Sequence, residues 1–116
     1  MLKSSRKLAN KVLRDGPGGL EEIRVHVFAD DEAAHDNDRV EELYSEFGVD
    51  FERVQCELSS IYGQPTWAGC EDHDDIPMNG VFHFAMWKIG DQMLFVAAAH
   101  EDREVPILLM IGTADG

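Results

Sequence analysis

The stretch from Val81 to Gly112 constrains the fold more than any other part of the chain. It holds two apolar runs, Val81–Ile89 and Gln92–His100, hinged at Gly90-Asp91. Glycine beside a short acidic residue between two such runs is a two-residue hairpin signal. With that turn, the numbers of opposed residues sum to 181. Phe82, Phe84, Met86, Phe95, Ala97 and Ala99 then share one face. Val81, His83, Ala85, Trp87, Leu94, Val96, Ala98 and His100 share the other. The polar turn Glu101-Asp102-Arg103-Glu104 leads to a third run, in which Val105, Ile107, Leu109 and Ile111 continue the second face. Pro106 has no ladder donor, so this strand is an edge or begins at the proline.

Both faces of such a sheet are apolar, whereas an antiparallel sheet with one wet face alternates apolar and polar residues. Something must cover each side. A strand and the amino-terminal helix complete the cover, or leftover apolar area forms a dimer interface or a groove for a partner.

The preceding residues supply the candidates for cover. Leu2, Ser5, Leu8/Ala9 and Val12/Leu13 recur at helical spacing, with Lys3, Arg6, Lys7, Lys11 and Arg14 largely on the other side. Residues 1–15 are therefore read as a basic amphipathic helix, stopped at Gly16. Such a helix docks its stripe on the body, lies on a membrane or binds nucleic acid; docking is the reading adopted. After the breakers Asp15-Gly16-Pro17-Gly18-Gly19, Ile23, Val25 and Val27 alternate with polar residues and predict a strand over 21–28. Leu20, Ile23 and Val27 also fit a helical stripe. Residues 29–37 read as an acidic loop.

Asp38 and Glu41 have capping-box spacing, and Val40, Leu43, Tyr44 and Phe47 share a helical face. Gly48 is placed as a helix stop. Asp50 then caps a second helix, with Val49 and Val54 as a staple, Phe51, Val54, Leu58 and Ile61 as its stripe, and Gly63 at its end. The expectation is two helices in a tight corner. Residues 64–80 read as a long acidic surface loop with Trp67 near its start. The fold class is therefore α+β in a single domain, 1–116: amino-terminal helices and one strand, then a three-stranded antiparallel meander packed by helices.

Charge bounds the partners. All 23 acids follow the first fourteen residues, which hold five of the ten bases. That segment carries +5 and the remainder −18, for a net of −13. An anionic body repels phosphate backbones and anionic membranes and steers cationic partners toward it. No apolar run approaches the roughly 20 residues of a membrane span. No secretory apolar run follows Met1. Cys56 and Cys70, fourteen apart, form no metal or redox motif, and reduced thiols suit a cytoplasmic location.

The catalytic inventory is thin. No nucleophile elbow or phosphate-binding glycine loop is present. The acids after Cys70 oppose thiolate formation, so cysteine catalysis is not expected. His83 and His100 fall on one face as diagonal neighbours, within reach of a shared metal or ligand, with His73 or Asp74 as a third candidate from the loop. Neither Glu71-Asp72-His73-Asp74-Asp75 nor His35-Asp36-Asn37-Asp38 matches an EF-hand. No metal site or cofactor is assigned. The expected function is non-catalytic binding of a basic protein, with Trp67 and Trp87 as apolar anchors and the contacts among Trp67, Glu71, Asp72, Asp74 and Asp75. In size, charge and α+β content the chain is similar to small acidic immunity proteins and secretion chaperones. Alternatives are an enzyme using the His83/His100 face, and a structural homodimer.

Overall fold

The computed structural model describes residues 5–102 and 104–115. Lys3 and the start of the basic helix, and Arg103 of the polar turn, lie outside them. The described chain forms α1 (Ser5–Asp15), β1 (Leu20–His26), α2 (Asp31–Ala34), α3 (Asn37–Tyr62), β2 (Trp67–Gly69), β3 (Val81–Ile89), β4 (Gln92–Ala99) and β5 (Ile107–Asp115). The class is α+β, with β3, β4 and β5 in meander order. The five strands make one antiparallel sheet in the order β1-β5-β4-β3-β2.

The hairpin has the register the turn dictates: His83 opposes Ala98, Trp87 opposes Leu94 and Ile89 opposes Gln92. At its open end a bulge at Phe82 breaks the rule, and Val81 opposes Ala99. One extra residue reverses the side-chain alternation beyond it. Val81 therefore joins Phe84, Met86, Phe95 and Ala97, while Phe82 packs toward the helices with Ala85, Trp87 and Val96. That exchange corrects the face assignment at the first two strand positions. Pro106 sits just before β5, so the strand escapes the donor problem at its start. It is an interior strand, because β1 pairs along its far side.

The two helices expected around Gly48 are one, Asn37–Tyr62, on the order of 39 Å long at 1.5 Å per residue. Val40, Leu43, Phe47, Phe51, Val54 and Leu58 form an unbroken buried stripe through the glycine. Each fully buried side chain of this size contributes roughly 1.5–3 kcal/mol. A mid-helix glycine costs about 1 kcal/mol relative to alanine, so packing prevails over the stop signal. The glycine has a different purpose: a β-carbon there would stand 3.3 Å from His83 Nε2. Asp36, not Asp38, is the N-cap, its carboxylate accepting from Arg39 N at 3.2 Å. Asp50 is no cap; it holds Arg24, and Val49 faces solvent. Gly63 does end the helix. Within the expected loop 29–37, Asp30 accepts from Ala33 N at 2.8 Å and starts the single turn of α2.

α1 and α3 cover one sheet face. Ala9 and Val12 of α1 join Leu43, Phe47, Leu58, Trp87, Leu94, Ile107 and Ile111 in this core. Trp87 is buried and its indole N–H donates to Gly63 O at 2.8 Å, so it is a core residue and not an exposed anchor. The described bases of α1, Arg6, Lys7, Lys11 and Arg14, stay exposed. The other face holds a second core of Val81, Phe84, Met86, Met93, Phe95, Ala97 and Ala99, covered by Ile76 and Met78 from the chain between β2 and β3. No described helix is long and apolar enough to cross a membrane.

Candidate functional site

The segment 70–80 crosses the second sheet face as a strap, and its acids have unlike roles. Asp72 Oδ1 accepts from Val81 N at 2.9 Å and so satisfies backbone at the bulge. Asp75 N donates to His73 Nδ1 at 3.1 Å, and the His73 ring leans on Phe84 at 5.4 Å between centroids. Ile76 is inserted into the second core. At the far end His100 N donates to Gly80 O at 3.0 Å, and Gly80, at φ +69°, leaves no room for a β-carbon against His100 O. The strap is therefore fixed at both ends and in its middle. Glu71, Asp74 and Asp75 are exposed.

The strap does not reach across the whole face. Two hollows remain, and Pro77 lines both. The first, about 300 Å³, is apolar: Leu20, Met78, Val105, Leu108 and Met110 wall it, with Glu101 at its rim. The second, about 420 Å³, lies between the strap and the turn at Pro17-Gly18, and Asp74, Asp75 and Asp115 line it. Leu20, Val25 and Val105 keep roughly two-fifths of their surface in water beside the first hollow. Glu22 shares this face, opposite Met110.

Among the described residues no Lys or Arg lines either hollow. α1 packs on the opposite face, where Lys11 pairs with Glu21. Arg24 donates to Asp50 at 2.6 Å and to Glu46 at 3.2 Å, and Arg39 pairs with Glu42 and Glu46. Partial burial opposes the charge on Arg24, but the hydrogen bonds from its carboxylate partners outweigh it and hold its pKa above the ordinary value. The bond from Arg24, helped by Arg39, holds Glu46 below the ordinary carboxylate value. On the groove face Lys88, opposite Met93, stands two strands from Ala114 and lines neither hollow. Among the described residues no Lys or Arg pairs with Asp74, Asp75 or Asp115.

The expected site residues are thus dispersed. Asp74 and Asp75 line the acidic hollow. Asp72 is engaged by backbone, Glu71 lines neither hollow, and Trp67, half exposed, lies on the edge strand β2 opposite Met86. The three histidines do not converge. His73 packs on the strap-covered face, while His83 and His100 belong to the other. His100 is buried with both ring nitrogens engaged: Tyr44 O–H donates to Nδ1 at 2.7 Å, and Nε2 donates to Val105 O at 3.1 Å. Among the described residues no three His, Cys, Asp or Glu side chains are gathered as metal ligands.

Comparison of the chain with protein-family models, curated proteins and solved structures returns no match. The chemistry of the surface is therefore the guide to function.

One pair escaped the reading of the sequence. Cys70 Sγ lies 3.7 Å from His83 Nδ1. β2 opposes β3 with numbers that sum to 153, which carries Cys70 to the place opposite His83. The signal was present in Trp67-Ala68-Gly69, but three residues are too few to read as a strand. The His83 ring is stacked on Phe51 at 5.3 Å and meets the edge of Phe82 at 5.4 Å.

Proposed function

We propose that this chain is a non-catalytic binding domain that holds a basic segment of a protein partner in the groove on the strap-covered sheet face. The partner supplies an apolar side chain to the hollow at Leu20, Met78 and Leu108, and cationic side chains to the hollow at Asp74, Asp75 and Asp115. One observation carries this reading: an apolar and an acidic hollow share the wall at Pro77, while the chain's own cationic helix is committed to the other face. Buried apolar anchors contribute most of the affinity in such contacts, and rim charges set the rate of association and the choice of partner. A small acidic inhibitor or chaperone of a basic protein works on these terms, and two free cysteines suit a cytoplasmic setting.

The test uses a labelled extended peptide bearing one leucine and two arginines, titrated against the full chain. Binding that weakens as salt rises from about 50 to about 300 mM supports the reading, because this range shortens the screening length below the size of the groove. A peptide with the arginines replaced by glutamates must bind more weakly. Equal binding of both peptides, or of neither, refutes the proposal.

A further inference from the structure

We propose that Cys70 and His83 form a thiol–disulfide exchange site with a preference for small cationic disulfides. The site lies at the β2 edge of the sheet, separate from the groove, and does not depend on the binding reading. Cys70 is exposed, and its sulfur is within hydrogen-bonding reach of His83 Nδ1. The acids that follow Cys70 work against a standing thiolate, so the proton must leave to a base as attack occurs, and a nucleophile beside a base whose ring is held by other groups is the arrangement that allows this. Three features hold this ring. Phe51 stacks on its face, Phe82 meets its side, and Gly48 gives Nε2 the space that a β-carbon would take. The ring cannot swing away from the sulfur without losing the stack. Cys56 is also exposed, but no such base accompanies it among the described residues.

The incoming disulfide is itself the oxidant, and the exchange balances with no other co-reactant. The Cys70 thiol proton passes to His83 Nδ1 as Sγ attacks one sulfur of the disulfide. The S–S bond breaks, and the other sulfur leaves with the electron pair and takes the proton from Nδ1. The products are a mixed disulfide on Cys70 and one free thiol. Glu71 and Asp72 follow Cys70 directly. This charge attracts a disulfide bearing ammonium groups and repels one bearing carboxylates.

The experiment measures second-order rates of mixed-disulfide formation with cystamine and with oxidised glutathione, by mass spectrometry of the full chain. Two variants isolate the thiols: Cys56→Ser leaves Cys70, and Cys70→Ser leaves Cys56. Cys70 is expected to react with cystamine at least about tenfold faster than Cys56, a threshold set beneath the roughly 10²- to 10⁴-fold that a positioned base contributes. The folded chain should also react faster than the same variant in urea. Cystamine should outpace oxidised glutathione at Cys70 by more than at Cys56. A Cys70 rate no greater than that of Cys56, or unchanged by unfolding, overturns the site. Equal selectivity at the two cysteines overturns the charge preference. His83→Gln in the Cys56→Ser background tests the base: a folded variant that keeps the Cys70 rate removes His83 from the mechanism. Should that variant not fold, the folded-to-urea ratio in the parent decides.

Discussion

Gly48, in the middle of α3, and His83, on β3, fit together: the imidazole Nε2 fills the approach where any other residue would place a β-carbon, 3.3 Å away. Gly48→Ala sets two effects against each other. Helix propensity favours alanine by about 1 kcal/mol, whereas the stacked ring must yield a few tenths of an ångström. The two substitutions Gly48→Ala and His83→Ala are therefore coupled. Gly48→Ala should stabilise the His83→Ala background more than the parent, by about 0.5–1.5 kcal/mol, in the range found for residues in contact. Urea denaturation of the four proteins of the cycle measures this. Additive effects would mean that the glycine serves no such purpose.

The same pair shows what can be read from sequence and what cannot. The local signals at Gly90-Asp91 and Gly63 were sufficient, since a hairpin turn and a helix end depend on backbone conformations glycine supplies nearby. Gly48 carries the same letter for a non-local reason, and a ring thirty-five residues away gives it meaning. The pairing of β1 with β5, between segments more than eighty residues apart, has no local signature either, and it decides between the two readings of Pro106: the strand begins just after the proline and is interior. The bulge at Phe82 reversed two faces through a single extra residue, which no periodicity announces. For the candidate site, the acidity of the strap was legible, but not which acids are free. Asp72 is consumed by Val81 N, while Asp74 and Asp75 look into the hollow.

That division of labour within the strap is testable. Asp72→Ala leaves a partly buried N–H at the bulge without its acceptor, and should cost about 1–3 kcal/mol. Asp74→Ala removes an exposed carboxylate and should stay within about 0.5 kcal/mol. Chemical denaturation of both variants is the measurement, and equal losses would contradict the distinction.

Tyr44 and His100 join α3 to the end of β4 through a 2.7 Å bond in which the phenol O–H donates to Nδ1. Tyr44→Phe keeps the ring packing against Phe82 and His100 but strands an acceptor on a buried histidine. A loss of about 1–2 kcal/mol is expected from denaturation curves. No loss would show that solvent satisfies Nδ1.

Acid should weaken the fold through His26. Burial first, then the charges of Arg39 and Arg24, push its pKa below the ordinary 6.5, while Glu46 acts the other way. Below 6.5 the unfolded chain takes up the proton more readily than the folded chain does. Stability is therefore full above that value and falls as pH drops toward the depressed folded pKa. Glu46, itself held low by Arg24 and Arg39, adds a further loss as pH falls below 4.5. His26→Gln should flatten the stability profile between about pH 7 and 5 and leave the more acidic limb in place. An unchanged profile in that window would exclude His26 as its source.

The groove reading makes its sharpest claim about position rather than charge. With a net charge of −13, almost any acid would attract a basic peptide weakly at long range. Asp74 and Asp75 are the two strap acids that combine exposure with a place in the hollow beside Pro77, where Asp115 of β5 joins them. The paired variant Asp74→Asn/Asp75→Asn should weaken binding of the arginine-bearing peptide roughly two- to tenfold and lower its salt dependence, as expected for two partly screened contacts. The charge-matched control Glu32→Gln/Glu52→Gln alters two exposed acids on α2 and α3, the elements outside the strap, and should leave the affinity near the parent value. Leu108→Lys places a cation in the apolar hollow and should abolish the contribution of the peptide's leucine without touching the carboxylates. Fluorescence polarisation of the labelled peptide against the four proteins separates the outcomes. If both acid pairs weaken binding alike, attraction is diffuse and the hollow at Asp74 and Asp75 is not where the cations lie.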